Sequence, residues 1–200
     1  MRIVLASKSP RRREILSSLG LKFDIVSADA DESSDITDPA KLVQELALRK
    51  GRATRELLCA KGEWDHDTLI IASDTVVACD GQILGKPRDD TDAAHMLAML
   101  SGRRHQVISG ISLLIGDREI ADFDVTSVIF DNMTPSEIAW YVQSGEPRDK
   151  AGAYAVQGLA SLWIKGLEGC YFNVVGLPIH KLNALMTEFI GHGIVALTQA

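Results

Sequence analysis

Between His105 and Phe130 the chain carries two long apolar-rich runs, His105–Ile115 and Glu119–Phe130, that meet at Gly116-Asp117. Runs of that length joined through a glycine-containing turn predict two strands that double back and pair antiparallel. A second turn of the same kind, Asp80-Gly81, separates Val76-Val77-Ala78 from Gln82-Ile83-Leu84. The amino-terminal end reads differently. Ile3–Ala6 is a short apolar run, Ser7–Pro10 is polar, and Ile15, Leu16 and Leu19 then recur at helical spacing until Gly20. That order is strand, loop, helix. Strands and helices interleaved at the front, with hairpins in the middle, predict an α/β domain on a mixed, twisted sheet rather than a doubly wound sheet of parallel strands alone.

Helix boundaries are marked by capping chemistry. Ser9-Pro10 and Asp38-Pro39 place a capping side chain before a proline whose missing N–H costs nothing at the first helical position. Thr134-Pro135-Ser136-Glu137 is a capping box that opens a helix stopping near Gly145. Leu42, Val43, Leu46, Leu57 and Leu58 predict one long amphipathic helix, or two shorter ones divided at Gly51. Phe23–Ser27 reads as a strand, and Thr91–Leu100 as a helix closed by Gly102. Lys150–Gly158, Leu162–Leu167 and Tyr171–Val175 read as loop and strand, before a last helix from Pro178 with Leu182, Leu185, Met186 and Phe189 inward. No repeat or linker interrupts residues 1–200, which are expected to form a single domain.

Composition removes several classes of function. With 46% hydrophobic and 24% charged residues the chain is that of a soluble globular protein. Its 21 basic and 27 acidic residues leave a net charge of -6, which argues against broad nucleic-acid binding. No uncharged run approaches the roughly 20 apolar residues of a spanning helix. Met1-Arg2-Ile3-Val4-Leu5 lacks the pattern of a signal peptide, so a cytoplasmic setting without membrane is expected. Three cysteines without a CxxC pair are expected to be buried thiols, and five histidines without HExxH or HxH spacing leave any metal to oxygen ligands. Neither GxGxxG nor GxxxxGK[ST] occurs, so a bound phosphate would be held by other means.

Four segments could carry chemistry. Ser7-Lys8-Ser9-Pro10-Arg11-Arg12-Arg13 is a basic island at a helix start, where unpaired N–H groups and guanidiniums together suit an anion. The plainer alternative is a solvated helix end paired with the five acids between Asp29 and Asp38. Three consecutive arginines point in different directions, so Arg11 and Arg12 are the better candidates to share one ligand. Ser73-Asp74-Thr75 puts a carboxylate and a hydroxyl within an apolar strand region, costly unless a cation or donor is present; an ordinary turn aspartate is the alternative. Gly85-Lys86-Pro87 presents a lysine between two backbone punctuators, and a simple loop lysine looks the same. Gly145–Gly158 is rich in small residues that permit close approach of a ligand, with Gln157 able to read a base edge or merely to satisfy backbone groups.

In chain order, Leu5-Ala6-Ser7-Lys8-Ser9-Pro10-Arg11-Arg12, Asp74-Thr75-Val76-Val77, Gly85-Lys86-Pro87, Asp149-Lys150-Ala151-Gly152-Ala153-Tyr154 and Val175-Gly176-Leu177-Pro178 resemble the ordered motifs of the Maf family of nucleoside triphosphate pyrophosphatases. The resemblance implies an elongated, two-lobed α/β fold similar to inosine triphosphate pyrophosphatases. It further implies hydrolysis between the α and β phosphates, giving a monophosphate and pyrophosphate, with a divalent cation such as Mg2+ or Mn2+. In that picture Asp74 is the proton acceptor. Ser9, Arg12, Lys50 and Lys86 line the phosphate site, and Glu32 with Asp74 faces the metal. Arg11, Thr75 and Gln157 match the branch that cleaves dTTP and UTP, whereas Ser73 departs from the glycine or alanine common there. A homodimer is expected on the same ground. A nucleotide-binding regulator of cell division with little catalysis, and a pyrophosphatase of different base preference, are the alternatives.

Overall fold

Ile3, Val4 and Leu5 are buried in β1 (Arg2–Leu5), and the chain leaves that strand through Ser7-Lys8-Ser9 into α1 (Pro10–Ser18). The computed structural model describes residues 1–199. The next elements are β2 (Asp24–Ile25), α2 (Pro39–Ala60), β3 (Thr68–Cys79), β4 (Gln82–Leu84) and α3 (Asp90–Leu100). After them come β5 (Arg104–Ile115), β6 (Arg118–Phe130) and α4 (Pro135–Gln143). Short 3-10 turns at Glu146–Asp149, Ala151–Ala153 and Leu159–Leu162 lead to β7 (Ile164–Glu168), α5 (Tyr171–Val175), α6 (Ile179–Ile190) and α7 (Ile194–Thr198).

The strands form a seven-stranded sheet in the order β2-β1-β3-β5-β6-β7, with β4 on β3. β1 pairs parallel with both β2 and β3, Val4 facing Ile70, while β3 with β4 and β6 with β7 are antiparallel. The sheet is therefore mixed, as the interleaved and hairpin segments predict. β5 and β6 are neighbours joined through Gly116-Asp117, and β3 turns into β4 through Asp80-Gly81, where both residues have positive φ. Among the described residues no helix is long and apolar enough to cross a membrane.

The chain divides into two compact units. The first comprises Met1–Asp74, Ser109–Asp124 and Gly176–Ala200; the second comprises Thr75–Ile108 and Val125–Val175. In the first, Val4, Ala6, Leu58, Ile70, Ala72 and Leu114 form a core cluster against which Val26 and Trp64 pack. A large apolar side chain buried this way stabilises the fold by about 1.5–3 kcal/mol relative to exposure. In the second, Val77, Leu97, Leu100, Val128, Tyr141 and Trp163 belong to one larger cluster.

α2 runs without a break through Gly51. The glycine sits where helix meets sheet: a Cβ there would run into Leu114 and crowd the Ser112 hydroxyl, which donates to Ala47 O at 2.8 Å. Gly110 answers it from β5, since a Cβ at that position would overlap the Val43 carbonyl. The backbone of α2 thus rests close against β5, a proximity only glycine permits.

Four expectations need correction. The second strand is two residues long, not five. Tyr171–Val175 is a helical turn, which lets the buried Asn173 amide donate to Val107 O at 2.9 Å and to Thr126 Oγ1 at 3.0 Å; those two bonds outweigh the strand preference of Val174 and Val175. Lys150–Gly158 contains a 3-10 turn rather than strand. Of the three cysteines, Cys79 is buried, Cys170 is half-buried and Cys59 is exposed.

Candidate active site

β1 and β3 lie side by side, so the loop after β1 and the middle of β3 in the first unit are brought together by sheet pairing. Ser7 and Ser9 shape that loop: the Ser9 N–H donates to Ser7 Oγ at 3.2 Å, and Ser9 takes the N-cap position without its hydroxyl closing onto the helix. Arg12, in the first turn of α1, donates from Nε to Gly176 O at 2.8 Å. Its Nη1 donates to Ser73 O at 2.6 Å and to Ser7 Oγ at 3.4 Å. One guanidinium thereby ties the helix start, β3 and the segment before α6.

Ser73 is fully buried and donates its hydroxyl to Gly176 O at 3.0 Å. Asp74 follows it, 8% exposed. A carboxylate that deep requires a cation, and Lys50 of α2 provides one: its ammonium donates to Asp74 Oδ1 and pairs with Glu32 Oε1 at 2.8 Å. Two carboxylates from different segments converge on a single nitrogen. Burial lowers the proton affinity of Arg12, Asp74 opposes that shift, Arg11 adds to it and Glu32 offsets it. These electrostatic contacts place Arg11, Arg12, Glu32 and Asp74 in one charged neighbourhood.

Glu32 belongs to the acidic stretch, and that stretch is held by the residue next to Lys50. Arg49 Nη1 donates to Ser33 O at 2.7 Å and to Asp31 O at 3.3 Å, while its Nε pairs with Glu45 at 2.8 Å. The carbonyls on either side of Glu32 are thus fastened to α2. The remaining cations of the basic island go elsewhere. Lys8 pairs with Asp29 at 2.7 Å, the one solvated pair of the island that matches the plainer alternative; Arg13 is exposed, and Arg2, outside the island, pairs with Asp24 at 2.7 Å.

Glu32 and Asp74 fit a divalent cation. They offer hard oxygen ligands on two sides of a point already occupied by positive charge, and no group of three or more histidine, cysteine or acidic side chains suited to a metal occurs among the described residues. That set suits a magnesium-like ion, which takes one or two carboxylates and leaves its other positions to phosphate and water.

The second unit holds the other three expected residues. Thr75 continues β3 and is half-buried; Lys86 is exposed just beyond β4; Gln157 is exposed between the 3-10 turns. The Lys86 and Gln157 segments are linked, because Gly152 N–H donates to Gly85 O at 3.0 Å. Gly152 has φ +66° and lies against Val77, where a side chain would collide. Tyr154 hydrogen-bonds His105 through Nε2 at 2.7 Å, and burial lowers the His105 pKa to about 4.

Sequence reasoning missed Arg49, whose one available signal was its position beside Lys50.

A model of the family described as Maf-like protein matches residues 2–189. The chain is 43% identical over 188 residues to a dTTP/UTP pyrophosphatase of Symbiobacterium thermophilum, covering 94% of this chain and 93% of that one. It is 46% identical over 191 residues to a dTTP/UTP pyrophosphatase of Moorella thermoacetica, covering 94% and 95%. Among solved structures, the Ham1 protein of Staphylococcus aureus aligns with a TM-score of 0.47 at 17% identity, over 65% of this chain and 72% of that one.

Proposed function

Since the chain belongs to the Maf-like protein family, we propose that it hydrolyses nucleoside triphosphates, dTTP and UTP foremost, to the monophosphate and pyrophosphate with a divalent cation. The observation that carries this reading is the convergence of Glu32 and Asp74 on the Lys50 ammonium beside Arg12. Such an arrangement places negative charge for a cation and positive charge for phosphate in one neighbourhood. An overall charge of -6 does not oppose it, because the local field decides where an anion binds.

In this reaction a water oxygen bonds to the α-phosphorus, the bond from that phosphorus to the oxygen bridging the α and β phosphates breaks, and pyrophosphate leaves. Asp74 takes the proton of the attacking water, a role suited to a carboxylate held in place by Lys50. Glu32 and Asp74 would hold the cation, magnesium or manganese, which when bound neutralises phosphate oxygens as a Lewis acid. Lys50 pairs with both of these carboxylates and so orients them toward one point. Ser9, Arg12 and Lys86 contact the phosphates, and Arg11, Thr75 and Gln157 read the base. The family resemblance also supports a homodimer and a cytoplasmic setting.

Incubating the purified protein with dTTP, UTP, CTP and GTP, with and without Mg2+, tests the reading. Orthophosphate should appear from dTTP and UTP only after inorganic pyrophosphatase is added, and EDTA should abolish formation of the monophosphate, read directly by chromatography because the coupling enzyme itself needs Mg2+. Orthophosphate released without that coupling enzyme, or no product from any nucleotide, would overturn it.

A further inference from the structure

The turn that carries Gln157 is closed by the Gly158 N–H donating to Ala155 O at 3.2 Å. Both ends of this turn are fastened to one pair of side chains. On the near side, Ala155 N–H donates to the Tyr141 hydroxyl at 3.3 Å. On the far side, Leu159 N–H donates to Glu146 Oε2 at 3.0 Å. The pair is itself joined, since the Tyr141 hydroxyl donates to Glu146 Oε1 at 2.7 Å. Gly158 completes the bracket, because a Cβ there would overlap the Glu146 carboxylate. Lys150 fastens the start of the segment to the same place, donating from Nζ to Glu146 O at 3.0 Å.

Tyr141 is fully buried in α4, and burial together with the Glu146 carboxylate pushes its hydroxyl away from ionisation. It therefore remains a donor. Both Glu146 oxygens are engaged, one by a side chain of the core and one by the backbone just past Gln157. Gln157 stands exposed at the third position of the turn, with its carrier gripped two residues before and two residues after.

We propose that Glu146 and Tyr141 are positioning residues: they hold the Gln157 turn in place and thereby set which base the enzyme accepts. This rests on the reading of Gln157 as a base-contacting residue. A side-chain amide discriminates bases only if its donor and acceptor are held in register, and a misplacement of about 1 Å can cost as much as 10²-fold. The pair touches neither the phosphates nor Asp74 in this scheme, so its loss acts on binding and selectivity rather than on the chemical step.

Steady-state kinetics of Glu146→Ala, Glu146→Gln, Tyr141→Phe and Gln157→Ala with the four nucleotides tests the proposal. In Glu146→Ala, KM for dTTP and UTP should rise about tenfold with kcat within about twofold, and the preference over CTP and GTP should shrink by about tenfold. Glu146→Gln should restore selectivity in part, because its amide oxygen can still accept from Leu159 N–H while the buried Tyr141 hydroxyl loses its acceptor. Tyr141→Phe keeps the Leu159 bond and should fall between; it decides the matter if Glu146→Ala does not fold. Hydrogen exchange should quicken at Leu159 in Glu146→Ala and at Ala155 in Tyr141→Phe. Faster exchange with unchanged selectivity, or a fall in kcat at unchanged KM, would overturn the proposal. If Gln157→Ala shifts selectivity and the Glu146 and Tyr141 variants do not, the positioning role alone fails. If Gln157→Ala leaves selectivity unchanged, the base-reading assignment fails and the positioning role with it.

Discussion

Asp74 is costly to bury, and Lys50 offsets that cost with an ammonium it also shares with Glu32. Asp74→Asn keeps the shape but removes the carboxylate proposed as proton acceptor and as one of two ligands to the cation. Its kcat for dTTP should fall by about 10²–10⁴-fold, as for loss of general-base catalysis, while the thermal midpoint and circular dichroism remain those of a folded protein. Near-normal turnover in the folded variant would remove Asp74 from the chemistry. Arg12 shows how a residue type can be legible while its local work is not. Its charge and its place at a helix start are visible in the sequence, but its Nε partner, Gly176 O, lies 164 positions away. The same applies to Ser73, whose hydroxyl reaches Gly176 O as well. Two side chains adjacent to Asp74 therefore hold the backbone around it, and neither bond could be foreseen from local pattern.

α2 delivers Lys50 to Asp74, and it can do so only because its backbone approaches β5 at Gly110 and Gly51. Gly110→Ala would place a methyl group on the Val43 carbonyl, which as backbone cannot swing aside. The variant should lose about 1–3 kcal/mol or more in denaturant unfolding, and any folded fraction should show reduced turnover because Lys50 is displaced with the helix. An unchanged midpoint would mean that helix and sheet are not in such close contact. Elements of this kind were readable where the signal is local. Asp38 caps α2 through Ala40 N–H and Lys41 N–H, Thr134 and Glu137 form their reciprocal box, and α6 buries Leu182, Leu185, Met186 and Phe189. Where an element depends on distant partners, local pattern failed or left two readings open: the helical turn at Tyr171–Val175 follows Asn173 bonding to Val107 and Thr126, and of the one-helix and two-helix readings of α2 the single helix holds, with Gly51 resting against β5.

At the scale of the whole molecule, net charge says little and the placement of charge says more. Exposed pairs such as Arg104 with Glu168 and Arg148 with Asp90 hold their carboxyls below the usual range, but pairs of this kind stabilise weakly. Being depressed carboxylates, they keep their contribution above the ordinary carboxylate range and lose it only in more acidic solution. His105 acts in a different window. It is 2% exposed, meets the rings of Phe130 and Tyr154 edge-on, and is held neutral because burial lowers its pKa from 6.5 to about 4. Between those values the unfolded chain binds a proton that the folded chain does not, so stability rises with pH across that interval and is constant above it. The wild-type protein should therefore lose about 2 kcal/mol of unfolding free energy between about pH 7 and pH 4.5 from this group alone. His105→Gln can still hydrogen-bond the Tyr154 hydroxyl but does not titrate, and its stability should decline less over that interval by the same amount. Urea unfolding of both proteins at several pH values measures the difference. Parallel curves would mean that His105 protonates as readily in the folded protein as in the unfolded one, and that the His105–Tyr154 contact is open to water.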